Sequence, residues 1–250
     1  MEKNLPNKVF YDELASDYDN MISFEKTVEN KKKLLKNFLT SKMKSAADVG
    51  CGSGVDSIAL ASLGLNVTAF DPSVEMLKVA EANAKRLNVK VGFHNYSADN
   101  IPTEFNNNFD LVASLGNTFA NITKEKFLTS LQRCYEILRP KGQLLIQVLN
   151  YHKILLEKQR IVNITEGEKG YFIRFYDFTG DELVFNVLSF AKSNLSDNKL
   201  ISTKLYAHLV KDFAAGLKMT GFSKFQFYSD LKLTSFDEKQ SKDLFIQAFK

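Results

Sequence analysis

The chain has 250 residues, 44% hydrophobic and 25% charged, a composition that supports one α/β domain with an elaboration and excludes a disordered or low-complexity polypeptide. Its 33 basic and 29 acidic residues leave a net charge of +4, too weak an imbalance to point to a nucleic-acid partner. No apolar run reaches membrane-spanning length or has a signal-peptide pattern, and the two cysteines, Cys51 and Cys134, stand far apart. The expectation is a cytoplasmic chain with reduced thiols, no membrane partner, no metal, and an oligomeric state that the sequence leaves open.

In chain order, residues 1–44 read as helical. Tyr11, Leu14, Ala15 and Tyr18 share one helical face, and the run Lys31, Lys32, Lys33 and Lys36 opposes Leu34, Leu35, Phe38 and Leu39, as on a solvated helix. From 45 to 150, strands alternate with helices. A short strand at 46–49 precedes a glycine turn and a helix marked by Val55, Ile58 and Ala59. A second strand, 67–70, ends at Asp71 and Pro72, before a helix carrying Leu77, Ala80, Ala84 and Leu87. A third strand, 89–96, leads into Ser97, Ala98 and Asp99, and a fourth, 109–115, into Gly116 and Asn117. Helical spacing at Phe127, Leu131, Cys134 and Leu138 then stops at Pro140, and the fifth strand is the apolar run 144–149. This alternation predicts a parallel, doubly wound, Rossmann-like sheet with helices on both faces.

Beyond 150 the pattern changes. Aromatic, β-prone runs at 171–178, 183–190 and 200–210, separated by Gly180-Asp181 and by Ser196, Asp197 and Asn198, predict an antiparallel cap of residues 151–210 inserted after strand five. A helix at 213–219 and strands at 225–228 and 244–249 return to the main sheet over residues 211–250. All of this reads as a single domain over 1–250.

Open parallel sheets bind ligands beyond the carboxyl ends of their strands, where this sequence gathers its glycines and short polar residues. In Asp48-Val49-Gly50-Cys51-Gly52-Ser53-Gly54 the glycines permit a tight turn and close approach of a ligand to the amides of the next helix. Asp71 follows about 20 residues later, the separation at which a carboxylate takes ribose hydroxyls. The glycine spacing is not that of a dinucleotide fold, since residue 55 is Val, which disfavours a nicotinamide-dependent oxidoreductase.

The segments DVGCGSG, FDPSVEML, Ala98-Asp99 and FDLVASLGNTF resemble the successive motifs of class I S-adenosylmethionine-dependent methyltransferases over about residues 45–150. The resemblance implies that S-adenosyl-L-methionine binds here and leaves as S-adenosyl-L-homocysteine. The loop from Gly50 through Cys51 and Gly52 to Gly54, with Asp48, would hold the methionine part, and Asp71 and Pro72 the ribose. Met76 would take one adenine face and Asp99 the adenine amino group, with Ala98, Leu115 and Gly116 near the ring or the homocysteine chain. The 1–44 helices would act as a lid, with Tyr11 and Tyr18 reaching cofactor or acceptor.

Leu115-Gly116-Asn117-Thr118-Phe119-Ala120-Asn121 and Leu149-Asn150-Tyr151-His152 are similar to the glycine and sarcosine N-methyltransferase branch. That branch carries Arg where Leu149 stands and Asp where His152 stands, and leucine cannot pair with a carboxylate. Two readings follow: another residue such as Arg174 supplies the positive charge, or the acceptor lacks an α-carboxylate and glycine is a poor substrate. The sequence favours the second. The expected reaction is in-line methyl transfer to a small-molecule acceptor, an amine nitrogen first. Asn117 would orient the acceptor, and Tyr18 or His152 would take a proton. The alternatives are O-methylation of a small metabolite and a non-catalytic cofactor-binding module. A nucleic-acid methyltransferase is disfavoured, because no Asn-Pro-Pro-Tyr type of motif follows strand four.

Overall fold

The apolar runs assemble into one seven-stranded sheet in the computed structural model, which describes residues 4–168, 170–180 and 182–250. Strands β1 (Ser45–Val49), β2 (Asn66–Phe70), β3 (Val91–His94), β4 (Phe109–Ser114) and β5 (Leu138–Leu149) are parallel, while β10 (Lys224–Tyr228) and β11 (Asp243–Phe249) close one edge in antiparallel pairing. The order is β10-β11-β5-β4-β1-β2-β3, so the chain reverses its winding direction between β1 and β4. Such a switch point opens a crevice at the carboxyl ends of the strands.

Period-two alternation explains why helices cover both faces. Ala47, Val112 and Ile146 point into one core with Phe127 and Leu131 of α5 (Lys124–Ile137) and Phe213 and Leu217 of α7 (Val210–Thr220). Their neighbours Ala46, Leu111 and Leu145 point the other way, against Phe24 and Val28 of α2 (Phe24–Leu35) and Ile58 and Leu60 of α3 (Val55–Ser62). The remaining crossover helix is α4 (Val74–Arg86), whose first turn is capped by Ser73 Oγ accepting from the Met76 amide at 3.1 Å.

After β5, a short helix α6 (Tyr151–Glu157) leads into a second sheet of four antiparallel strands. These are β6 (Ile161–Glu166), β7 (Gly170–Thr179), β8 (Glu182–Ala191) and β9 (Asn194–Leu205), in that order. The N-terminal helix α1 (Asn7–Ile22) is held between the two sheets. Phe10, Leu14 and Met21 pack on Phe172, Val187 and Ile201 of the cap, while Asp12 accepts from Ser73 Oγ at 2.6 Å and Asp19 from Asn83 Nδ2 at 2.7 Å.

Four details depart from the sequence reading. Strand β3 is half the expected length, because Asn88 turns left-handed at φ 53° and the Val89 amide still bonds to Ala84 O of α4. Strand β5 starts at Leu138 and carries Pro140 where its register against β4 shifts between Phe109 and Leu111, which leaves the ring no ladder bond to break. In the cap, Ser196 to Asn198 are exposed residues of the edge strand β9 rather than a turn, and that strand ends at Leu205 instead of 210. The cap also has a strand the sequence reading does not mark, β6, preceded by the helix at 151–157. Of the expected Gly180-Asp181 turn, Gly180 is left-handed at φ 57° and Asp181 lies outside the described residues. Among the described residues no helix is long and apolar enough to cross a membrane, and no group of His, Cys, Asp and Glu could hold a metal.

Candidate cofactor and acceptor site

The glycine turn after β1 needs its glycines for conformation and for space. Gly50, Gly52 and Gly54 have φ of 76°, 53° and 88°, a region that costs an L-residue with a side chain roughly 1–2 kcal/mol. A Cβ on Gly50 would stand 2.1 Å from Thr118 Cγ2, whereas a Cβ on Gly52 would meet nothing within 4 Å. Gly54 fits under Ala80 of α4 and begins α3. The amides of Gly50 and Cys51 donate to Phe70 O at 2.7 and 3.1 Å, and that of Gly52 to Asp71 Oδ2 at 2.8 Å. The turn is thereby tied to the end of β2.

Asp71 also accepts from the Ser73 amide at 2.9 Å, so both of its oxygens are positioned by backbone donors while each keeps a free lone pair. Burial pushes its carboxyl up to about 6, against the lowering effect of those two amides. Asp48 lies beneath the turn and takes a hydrogen bond from Ser57 Oγ at 2.5 Å, and burial, with the Asp56 charge nearby, raises its carboxyl above the ordinary range. It lines neither cavity described below, so it supports the turn rather than touching a ligand.

Two cavities meet at this turn. The first, about 280 Å³, is walled by Asp71, Pro72, Met76, Ala98 and Asp99. The second, about 380 Å³, is walled by Cys51, Leu115, Asn117, Gln147, Arg174 and Tyr176, among others. They share Tyr11, Tyr18, Gly50, Gly52 and Gly116. Residues from the ends of β1, β2 and β4, from the segment after β3, from α1 and from the cap thus converge on one crevice. Gly54 does not reach it. The Ser53 hydroxyl, on a residue 1% exposed, has no hydrogen-bond partner among the described residues yet belongs to a residue lining the second cavity. A buried orphan hydroxyl beside an open Gly52 fits a ligand that brings polar atoms to this loop.

Residues 46–142, which supply most of these walls, match the family described as methyltransferase domain. Over this segment the chain is similar to that family. A ubiquinone biosynthesis O-methyltransferase from Xanthomonas campestris pv. campestris is 33% identical over 103 residues, 41% of this chain and 42% of that protein. The chain therefore spans about two fifths of the length of the curated relatives it matches. An S-adenosylmethionine-dependent methyltransferase from Clostridium acetobutylicum superposes with TM-score 0.76 over 96% of this chain and 98% of that one, at 17% identity. An amino pentose methyltransferase from Micromonospora echinaspora, solved with S-adenosylmethionine bound, gives 0.63 over 91% of each chain at 13% identity. The fold, cap included, is a methyltransferase fold.

Within this crevice, several side chains stand differently from their expected placement. His152 sits in the first turn of α6, half exposed, with Nδ1 3.6 Å from Glu238, and lines neither cavity. Its replacement by glutamine is expected to leave kcat/KM within about twofold in a methyl-transfer assay. Tyr18 does line both cavities, but burial pushes its hydroxyl up to about 12, so near neutral pH it is a donor and not a base. Burial raises Tyr11 further, and Tyr11 shares hydrogen bonds with Asn121.

Asn117 is committed to the protein. Its Nδ2 donates to Tyr151 Oη at 2.7 Å, its Oδ1 accepts from the Leu149 amide at 3.0 Å, and its own amide donates to Gln147 Oε1 at 3.0 Å, all at a φ of 70°. It fixes the strand-four turn against β5 while also lining the second cavity. Asn117→Ala strands the buried Tyr151 hydroxyl and the Leu149 amide. The expected cost is about 2–3 kcal/mol, seen as a fall of roughly 5–10 °C in the thermal midpoint.

Some site residues carried no usable sequence signal. Lys126 of α5 pairs with Asp99 at 2.8 Å, offsetting the burial that would raise that carboxyl and holding it low. Lys31, from the run read as a solvated face, pairs with Asp56 at 2.9 Å and lines the second cavity. Thr118 closes over Gly50, donating to its carbonyl at 3.2 Å. A polar residue in a helix or a cap strand gives no local hint that tertiary packing will turn it toward a crevice.

Proposed function

We propose that this chain transfers a methyl group from S-adenosyl-L-methionine to a small-molecule acceptor, an amine nitrogen before a hydroxyl oxygen. One observation carries the reading: two cavities meet at the glycine turn and share its glycines with Tyr11 and Tyr18, as a transfer between two bound molecules requires. In this reading Asp71 holds the ribose hydroxyls, Met76 and Ala98 flank the adenine, and the turn residues Gly50 to Ser53 receive the methionine end. Asp99, already paired with Lys126, offers its remaining lone pairs to the adenine amino group. When bound, the cofactor supplies a sulfonium methyl already activated for displacement.

The chain then has to position, enclose and dry the acceptor. α1 and the cap do this, which is the sense in which residues 1–44 form a lid and 151–210 a cover over a core of 45–150 and 211–250. The second cavity's carboxylate, Asp56, is tied to Lys31, and burial keeps Tyr18 and Tyr176 protonated. Such walls suit a nucleophile that arrives with a free lone pair, as a neutral amine does, better than an alcohol that must lose its proton first.

A panel assay for S-adenosyl-L-homocysteine release against small amines, amino acids and phenols tests the reading. Turnover dependent on one class of amine is the expected result. Cofactor binding with no transfer to any panel member would favour the non-catalytic module, and turnover confined to phenols would move the reaction to oxygen.

A further inference from the structure

The second cavity contains more positive charge than its walls or the proposed cofactor can neutralise. Its lining includes three cations, Lys31, Arg174 and Lys242, against one carboxylate, Asp56, and that carboxylate is spent on Lys31. Among the described residues, neither Arg174 nor Lys242 has an acidic partner within ion-pair distance. The proposed cofactor brings one carboxylate, together with an ammonium and a sulfonium, so at least one cation is left for a second anion.

Arg174 is built for that anion. On β7 it stands two residues from Tyr176, so both side chains leave the same face of the strand, and Tyr176 packs beside Phe185 of β8. Across the strand pair its register partner on β6 is Asn163, whose Oδ1 accepts from Arg174 Nε at 2.6 Å. That bond fixes the guanidinium plane, and among the described residues the two terminal nitrogens have no hydrogen-bond partner, leaving the fork that matches a carboxylate in bidentate geometry. Leu149, at the end of β5, lines the same cavity and brings no charge to it.

We propose that Arg174 receives a carboxylate of the methyl acceptor, which makes small carboxylic acids, amino acids among them, the substrate class. This rests on the methyltransferase reading above and reverses the sequence-based preference for an acceptor lacking a carboxylate.

The test is calorimetric titration of the S-adenosyl-L-homocysteine-loaded protein with matched pairs differing only by a carboxylate: histidine and histamine, tyrosine and tyramine, anthranilate and aniline. The expected result is that the acid of at least one pair binds more tightly than its partner. Arg174→Gln should then weaken that acid about 10- to 100-fold and leave its neutral partner unchanged, with Arg174→Lys between the two. S-adenosyl-L-homocysteine affinity, measured separately, should stay within about twofold of the unsubstituted protein in both variants. Equal or better binding of the neutral members, binding by no acid, or equal weakening of both members would overturn the proposal. A loss confined to S-adenosyl-L-homocysteine affinity would also overturn it, by assigning Arg174 to the cofactor's own carboxylate. Failure of S-adenosyl-L-homocysteine to bind the unsubstituted protein would instead sink the methyltransferase reading, and this proposal with it.

Discussion

Gly52→Ala is expected to weaken S-adenosyl-L-homocysteine binding about 10- to 100-fold while leaving the protein folded, and Gly50→Ala to damage binding and stability together. The two glycines are two residues apart and both left-handed, so a methyl group at either position carries a similar backbone cost. Their surroundings separate them. At Gly52 the new methyl group meets no protein atom within 4 Å and faces the space both cavities share, so its conflict is with the ligand. At Gly50 it meets Thr118 at 2.1 Å, which forces the strand-four turn away from β1. Paired thermal melts and titrations distinguish these outcomes. A Gly52→Ala protein that binds normally would remove the turn from the binding site. The double variant Gly50→Ala with Thr118→Ala should regain part of the lost stability, because it removes the contacts at 2.1 and 2.6 Å but leaves the Thr118 Cβ contact at 2.9 Å and the left-handed strain.

Asp71→Asn is expected to lower S-adenosyl-L-homocysteine affinity by about 2–3 kcal/mol, or about 30- to 150-fold, and to abolish a pH dependence that the unsubstituted protein shows. Burial raises the Asp71 carboxyl to about 6, well above its unfolded value. Between about pH 4 and pH 6 the folded state therefore holds a proton that the unfolded chain has released. The stability this group contributes is complete below about pH 4 and is lost as pH rises to about 6, about 3 kcal/mol in all. Ribose hydroxyls donating to Asp71 favour the ionised form, so binding should expel that proton. At pH 6, titrations in buffers of different ionisation enthalpy should show release of about half a proton per ligand, and none in the asparagine variant. Equal proton release in both proteins would place the ribose elsewhere.

The parts legible in the sequence share a physical character. The glycine turn, Asp71 and the Ala98-Asp99 pair stand at or just beyond the carboxyl ends of short strands, where local pattern and spacing are nearly the whole story. The alternation of Ala46 with Ala47 and Leu111 with Val112 onto opposite faces follows from the same short-range geometry. What stayed hidden depends on pairing between distant segments. Lys126 meets Asp99 only because α5 returns past the end of β3, and Arg174, which the sequence names without placing, reaches the crevice only because the cap folds back over the main sheet. The structure separates two residues that the sequence puts beside the right motifs: His152 faces Glu238 and lines neither cavity, whereas Asn117 lines the second cavity with its side chain also bonded to Tyr151 and the Leu149 amide.

The central claim is that the two cavities meeting at the glycine turn hold a nucleoside cofactor and its methyl acceptor side by side. A crystal structure of the protein with S-adenosyl-L-homocysteine tests it most directly. The account predicts the ribose on Asp71, the adenine between Met76 and Ala98, and the homocysteine end over Gly52 and Ser53, leaving the Arg174 cavity open for the acceptor. A ligand seated against Arg174 and Tyr176 with the Asp71 cavity empty would contradict it.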